Sequence, residues 1–313
     1  MKSATLYFHY PCFDGLVSGV LAWEFLETHR QWTVGEFNPV NYTLRNTWLL
    51  KSLPAPCAIV DFLYHPSAEF WADHHQTSML TPEARADFER RKPSGFLLFD
   101  DRAGSCASLL FRHFRQFFAG NPHFAAMVDA AEKIDTAAYS SVEEAILGDD
   151  PALQISRTLL IDESKDYAVF LLRELRSHGL AHVAALPEVK SRHDEVRRRI
   201  LAGLKQVESQ IHIERGEIAT FEAHKQNDAI VSRYAPYYFA PHARYSIGVI
   251  RSEEGAAITA MRNPWMEFDS IPLGRAFEKF GGGGHQRVGS VFIAKNQSQR
   301  VQDVVESLLS QMS

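Results

Sequence analysis

Cysteine is scarce in this sequence. Its three residues, Cys12, Cys57 and Cys106, are an odd number with no CxxC pair. A disulfide framework or a cysteine-built zinc module therefore cannot organise the chain, and free thiols fit a reducing compartment. An excess of positive charge is also missing. Thirty-three Lys and Arg face 38 Asp and Glu, a formal net charge of -5 with 14 neutral histidines. Such a surface does not attract nucleic acid or anionic membranes as a whole, so an anionic substrate must be captured locally. No apolar stretch approaches membrane-spanning length, and residues 1–10 carry neither a long apolar run nor a small-residue cleavage site. The expectation is a cytoplasmic protein without membrane association. What remains is ordinary globular material: 45% hydrophobic and 23% charged residues over 313 positions. At roughly 150 residues per domain, that length suggests two domains.

The first half alternates short apolar runs with amphipathic stretches. Strands are predicted at 4–8, 33–37, 57–62, 69–72 and 96–99, and helices at 15–26, 82–91, 105–118 and 123–133. This rhythm argues an α/β fold with a parallel sheet covered on both faces, where ligands sit beyond the carboxyl ends of the strands. Residues 152–177 read as helical, and the charged stretch 187–213, broken only by Gly203, reads as a connecting helix. Composition then shifts. Strands at 217–221, 229–232, 245–251 and 256–262 precede a helix at 271–279, four glycines, a strand at 290–293 and a closing helix at 298–311. The expected division is a parallel-sheet domain over 1–186, a connecting helix over 187–215 and a smaller α/β domain over 216–313.

Polar groups gather where the first strands end. His9 and Asp14 follow the first strand, Asp61 follows an apolar strand, and Asp73-His74-His75 follows another, while Asp135 ends a helix. Each alone is an ordinary cap or turn residue. Together they are carboxylates and imidazoles leaving one sheet edge, a costly gathering of like charge unless a cation sits among them. Mixed oxygen and imidazole donors suit manganese, magnesium or zinc, and two such ions could clamp a phosphoryl displacement. A second constellation is Gly281, Gly282, Gly283 and Gly284 followed by His285. Four glycines between a helix and a strand serve neither element, so something must approach the backbone closely. Their N–H groups could form a nest for phosphate oxygens, with His285 and Arg262 as neighbouring donors.

These motifs, in this order, resemble the DHH phosphoesterase superfamily with its C-terminal DHHA1 domain. The features are His9-Tyr10-Pro11-Cys12-Phe13-Asp14-Gly15, Asp61, Asp73-His74-His75, Asp135, Arg262 and the run Gly281 to His285, which span nearly the whole chain. Their compactness is similar to the nanoRNase and 3′-phosphoadenosine 5′-phosphate phosphatase branch, set against the larger RecJ-type exonucleases. The glycine motif argues against the family's inorganic pyrophosphatases. The resemblance implies a hydrolase of phosphate esters in short oligonucleotides or small nucleotides, using one or two divalent ions, manganese foremost. By position Asp61 would bridge the ions, Asp14, His74 and Asp135 would complete one site, and His9 would belong to the other. Asp61 and His75 would be the catalytic pair, with His75 on the substrate phosphate. Arg262, Gly281, Gly282, Gly283, Gly284 and His285 would hold a terminal phosphate or nucleotide. A homodimer is compatible with this reading.

One departure matters. The family's first motif has the form His-x-x-x-Asp-x-Asp, whereas Cys12 stands two residues before Asp14 and His9 is one position closer. Cys12 then binds a softer ion such as zinc or iron, or the first site fills weakly, or only one ion is used; otherwise Cys12 is a thiol packed under the first turn. The departure leaves two alternatives open: a catalytically weakened nucleotide-binding or regulatory module, and a hydrolase of another phosphorylated small molecule or polyphosphate. Two further features read as structural. Arg197-Arg198-Arg199 is mixed with acids on its helix, and the run Tyr234 to Phe239 is expected to pack rather than stack on bases.

Overall fold

Alternating apolar residues in the first strands divide cleanly between two cores. Leu6, Phe8, Ala58, Val60, Phe70 and Ala72 lie in one, while Tyr7, Ile59, Trp71 and Leu97 lie in the other. A period of two places successive side chains on opposite faces, so strands apolar at every position must be covered on both. The computed structural model describes every residue except Met1, Asn227, His285 and Ser313. It divides into two units, Met1–Ala138 with Asp149–His193, and Tyr139–Gly148 with Asp194–Ser313.

The first unit holds β1 (Lys2–His9), β2 (Trp32–Val40), β3 (Cys57–Val60), β4 (Ala68–Asp73) and β5 (Leu97–Phe99). They form an entirely parallel sheet in the order β2-β1-β3-β4-β5. Its helices are α1 (Phe13–His29), α2 (Pro82–Arg91), α3 (Cys106–His113), α4 (Arg115–Phe118) and α5 (His123–Asp135). After α6 (Val142–Leu147), which belongs to the other unit, come α7 (Pro151–Thr158), α8 (Lys165–Ser177) and α9 (Leu180–Ala185). Helix α1 is buried along most of its length and packs against α3, α5 and α8. Gly15 lets its first turn approach β1, since a Cβ there would stand 2.1 Å from the His9 carbonyl oxygen. The chain order reverses at β1, between β2 and β3, and such a switch point opens a crevice at the carboxyl edge. Register Phe8↔Val60 and Val60↔Ala72 puts His9, Asp61 and Asp73 side by side at that edge.

Helix α10 (Pro187–Glu208) carries the chain from one unit to the next. The second unit has β6 (His212–Glu214), β7 (Ile218–His224), α11 (Ala235–Phe239), β8 (Tyr245–Arg251) and β9 (Gly255–Arg262). α12 (Leu273–Glu278), β10 (Gly283–Gly284), β11 (Val288–Ala294) and α13 (Arg300–Met312) follow. Its mixed sheet runs β10-β11-β9-β8-β7-β6, parallel only at β7–β8. Leu273 and Phe277 of α12 and Val304 and Leu308 of α13 cover one face. No helix among the described residues is long and apolar enough to cross a membrane.

Four expected elements differ, the first being the connecting helix, which ends at Glu208 before β6 begins at His212. Residues 229–232 make one isolated bridge and no strand, because the segment lies along α10, where Ile230 N–H donates to the Arg199 carbonyl at 2.9 Å. Gly203 permits this, since a Cβ there would stand 2.0 Å from the Ile230 oxygen. The helical stretch 152–177 is broken between α7 and α8, where Ser164 caps the new helix through the Tyr167 N–H. The stretch 105–118 divides at Phe114, whose ring stacks on Phe25 with centroids 4.0 Å apart.

Candidate metal centre

Each acid or imidazole at the carboxyl edge is held by a local device. Asp14, in the first turn of α1, accepts the N–H groups of Cys106 (2.7 Å) and Ala107 (2.8 Å), the first residues of α3. A helix N-terminus offers unpaired donors and positive potential, so it fixes a carboxylate there. Asp61 leaves β3 with φ 55°, a left-handed conformation that Asp tolerates better than most residues. Asp73, wholly buried, accepts His74 N–H (2.8 Å), His75 N–H (3.3 Å), His75 Nδ1 (2.7 Å) and the Ser78 hydroxyl. It is the clamp of the Asp-His-His turn. His74 Nδ1 donates to the Ala103 carbonyl at 3.1 Å, which turns Nε2 toward the acids. Asp135 closes α5, where the helix dipole opposes a carboxylate, so helix stability does not account for it.

These devices bring the expected ligands together. His74 Nε2 lies 3.4 Å from Asp135 Oδ2, 3.7 Å from Asp14 Oδ2 and 3.7 Å from Asp61 Oδ1. On the other side of Asp61, His9 Nδ1 is 3.2 Å from Oδ2, and His75 Nδ1 is 3.7 Å from Oδ1. A Cys12 sulfur, a His9 nitrogen and an Asp61 oxygen lie within 4.8 Å of one another. So Cys12 stands at the site, at the N-cap of α1, where it makes no side-chain cap.

The electrostatics ask for a cation. Burial first, then Asp14, Asp73 and Asp135, push the Asp61 carboxyl well above the usual carboxylate range. Its Oδ1 is buried and accepts no hydrogen bond among the described residues. Burial, followed by Asp61, Asp135 and Asp14, likewise drives the Cys12 thiol up. For His75, burial opposes the charge, but Asp73 outweighs it and the imidazole is pushed up to about 9. Three acids around one imidazole nitrogen, with an orphaned buried oxygen at their centre, form a donor set that fits a divalent ion.

The second constellation is differently employed. Gly281 (φ 84°) ends α12, its N–H donating to the Glu278 carbonyl and that of Gly282 to Phe277. A Cβ at Gly282 would stand 2.2 Å from the Ser290 oxygen, and one at Gly284 would stand 2.3 Å from the Val288 oxygen. The close approach that the glycines imply is thus made by the chain's own β11. The space of a side chain is open around Gly281, whose positive φ still disfavours one, and around Gly283. Arg262 is buried, donates to the carbonyls of Asn263 (3.1 Å) and Phe268 (3.2 Å) and lies over the Phe268 ring. His285 lies outside the described residues. Of the features read as structural, Arg198 and Arg199 pair with Glu195, and Tyr237 is buried with its hydroxyl on the Met261 carbonyl at 2.6 Å.

One residue at the site escaped the sequence reading. Tyr42, just past β2, packs edge-on against His9 (centroids 5.0 Å apart) and lies 5.9 Å from the His75 ring. Its hydroxyl is buried and makes no hydrogen bond among the described residues. Burial, then Asp73 and Asp61, hold that phenol well above its ordinary pKa, so it is a neutral donor. Its position after a strand on the same edge was the available signal.

A parallel sheet in this order with acids and imidazoles at its carboxyl edge, followed by a mixed-sheet unit, is a fold that solved structures share. Among solved structures, the chain is similar to the pGpG-specific phosphodiesterase PggH from Vibrio cholerae, with a TM-score of 0.71 at 16% identity and full coverage of both chains. It is also similar to RecJ in complex with Mn2+ from Thermus thermophilus, with a TM-score of 0.63 at 16% identity, over 100% of this chain and 52% of that one. A DHH domain from a protein assigned to a family of ribosomal proteins gives a TM-score of 0.53 at 13% identity, over 100% of this chain and 88% of its own. These identities establish a shared fold. No protein-family model matches the sequence, and no curated protein matches it.

Proposed function

We propose that the chain is a divalent-metal-dependent phosphoesterase that hydrolyses short oligonucleotides or small nucleotides. The observation that carries this reading is the convergence of His9, Asp14, Asp61, His74 and Asp135 on one carboxyl edge. Those five residues would hold the metal, with Cys12 beside them. When bound, the ion supplies positive charge for the attacking and leaving oxygens of an in-line displacement at phosphorus. The chain's own groups do the rest. Asp73 holds His75 so that its imidazole can donate to a phosphoryl oxygen, and the Tyr42 hydroxyl, which has no acceptor among the described residues, donates to another. Manganese is the first candidate because RecJ with the same fold binds it.

A dinucleotide-sized substrate is supported by the neighbour that covers both chains completely, a phosphodiesterase whose name specifies a dinucleotide. Dinucleotides and short oligomers are the proposed class, and the net charge of -5 fits short substrates better than long ones. The test is product release from such substrates with manganese, magnesium, zinc and iron side by side, in wild type and in His74→Ala. Equal turnover in wild type and variant refutes the reading. Cys12→Asp restores a hard ligand next to His9 and Asp61, so manganese-supported turnover should rise. Nucleotide binding without turnover under any metal would favour a binding module instead.

A further inference from the structure

Away from that centre, the corner between α8 and α9 gathers a second set of metal-ligating side chains. Glu174 lies one turn before the end of α8, His178 caps that helix, and His182 lies in the first turns of α9. One ligand atom from each of the three lies within 4.8 Å of the others. His178 Nδ1 is 3.2 Å from Glu174 Oε2, yet that nitrogen is covered from solvent and makes no hydrogen bond among the described residues. The His178 and His182 rings stack at 20°, with centroids 4.1 Å apart.

The corner is also framed. Asn121, before α5, reaches the Arg176 carbonyl at 3.5 Å, and His123 Nδ1 lies 2.9 Å from where a Cβ on Gly179 would stand. Arg176, at the end of α8, is drawn off by Glu24 (2.9 Å) and Glu27 (2.8 Å). We propose that Glu174, His178 and His182 bind a divalent ion of the zinc class that pins α8 to α9. Two imidazoles and one carboxylate favour a borderline transition ion over magnesium or calcium. Metal–ligand bonds of ~2.0–2.1 Å place tetrahedral ligands about 3.3 Å apart. The Glu174–His178 pair already has that spacing, and rotation of the exposed His182 supplies the rest.

The test counts metal. Protein stripped with chelator is dialysed against zinc, and bound equivalents are measured by mass spectrometry. His178→Ala/His182→Ala should lose one equivalent that His74→Ala retains, and zinc should raise the thermal midpoint of His74→Ala more than that of the triple variant His74→Ala/His178→Ala/His182→Ala. Equal zinc content in wild type and the double variant overturns the proposal. Should the double variant fold poorly, zinc in molar excess over both sites must shift the side-chain nitrogen resonances of His178 and His182 of the wild-type protein in NMR, and unshifted resonances overturn it too. Loss of turnover in His74→Ala bears on the proposed phosphoesterase alone, so the two readings fail separately.

Discussion

Asp61→Asn changes the charge of the proposed metal centre at nearly constant shape. The φ of 55° at Asp61 suits Asn as well as Asp, so the backbone need not move. In metal-free protein the ligand oxygens of Asp61 and Asp73 lie within 4.8 Å. At an effective dielectric constant near 20, two unit charges at that distance repel by about 3.5 kcal/mol. His75 offsets part of this, and Asp61 escapes part by protonation, since its carboxyl is pushed far up. A net relief of about 1–2 kcal/mol remains, or roughly 2–8 °C in thermal midpoint for a unit of this size. With metal the order reverses. An ion at 100 times its dissociation constant stabilises wild type by about 2.7 kcal/mol, roughly 5–11 °C, and the variant loses most of that gain. Thermal melts in chelator and then in rising manganese read both arms. The variant should be the more stable protein without metal and the less stable one with it. An identical manganese shift in both proteins would refute a role for Asp61 in holding the ion.

Tyr42→Phe removes a buried hydroxyl that has no partner among the described residues, so stability should hold or rise by up to about 1 kcal/mol, while turnover falls on the order of 100-fold. Unchanged turnover removes Tyr42 from the substrate site. Gly282→Ala drives a Cβ to 2.2 Å from the Ser290 oxygen and should cost about 1–3 kcal/mol. Gly283→Ala meets nothing within 4 Å, so denaturation midpoints should stay put while KM for a dinucleotide rises; a constant KM places the substrate elsewhere. Burial and the neighbouring acids raise the Asp61 pKa, so a proton competes with the ion above the ordinary carboxylate range. Manganese affinity should therefore fall as pH is lowered, by up to about tenfold per unit for each proton displaced. Titrations by electron paramagnetic resonance at several pH values check this, and a pH-independent affinity would contradict it.

The parallel architecture of the first unit and the edge on which its acids and imidazoles gather were legible in the residues. Leu6, Phe8, Val60 and Ala72 are apolar where a doubly covered strand requires it, and polar groups begin only at His9, Asp61 and Asp73. The run 229–232 looked like a strand because short apolar periodicity cannot say whether the partner is a sheet or, as here, a helix. Composition likewise could not say what approaches the tetraglycine. The sequence required a close neighbour, and β11 is that neighbour.

What the sequence by itself determined is the alternation of strand and helix and the chemistry placed at each strand end, because both depend on neighbours along the chain. Tertiary structure alone decided that the N-terminus of α3 grips Asp14 across 92 residues, that Tyr42 leans on two site histidines, and that a buried oxygen of Asp61 accepts no hydrogen bond among the described residues. Such facts depend on distances between segments remote in sequence. Only packing of the folded chain sets those distances.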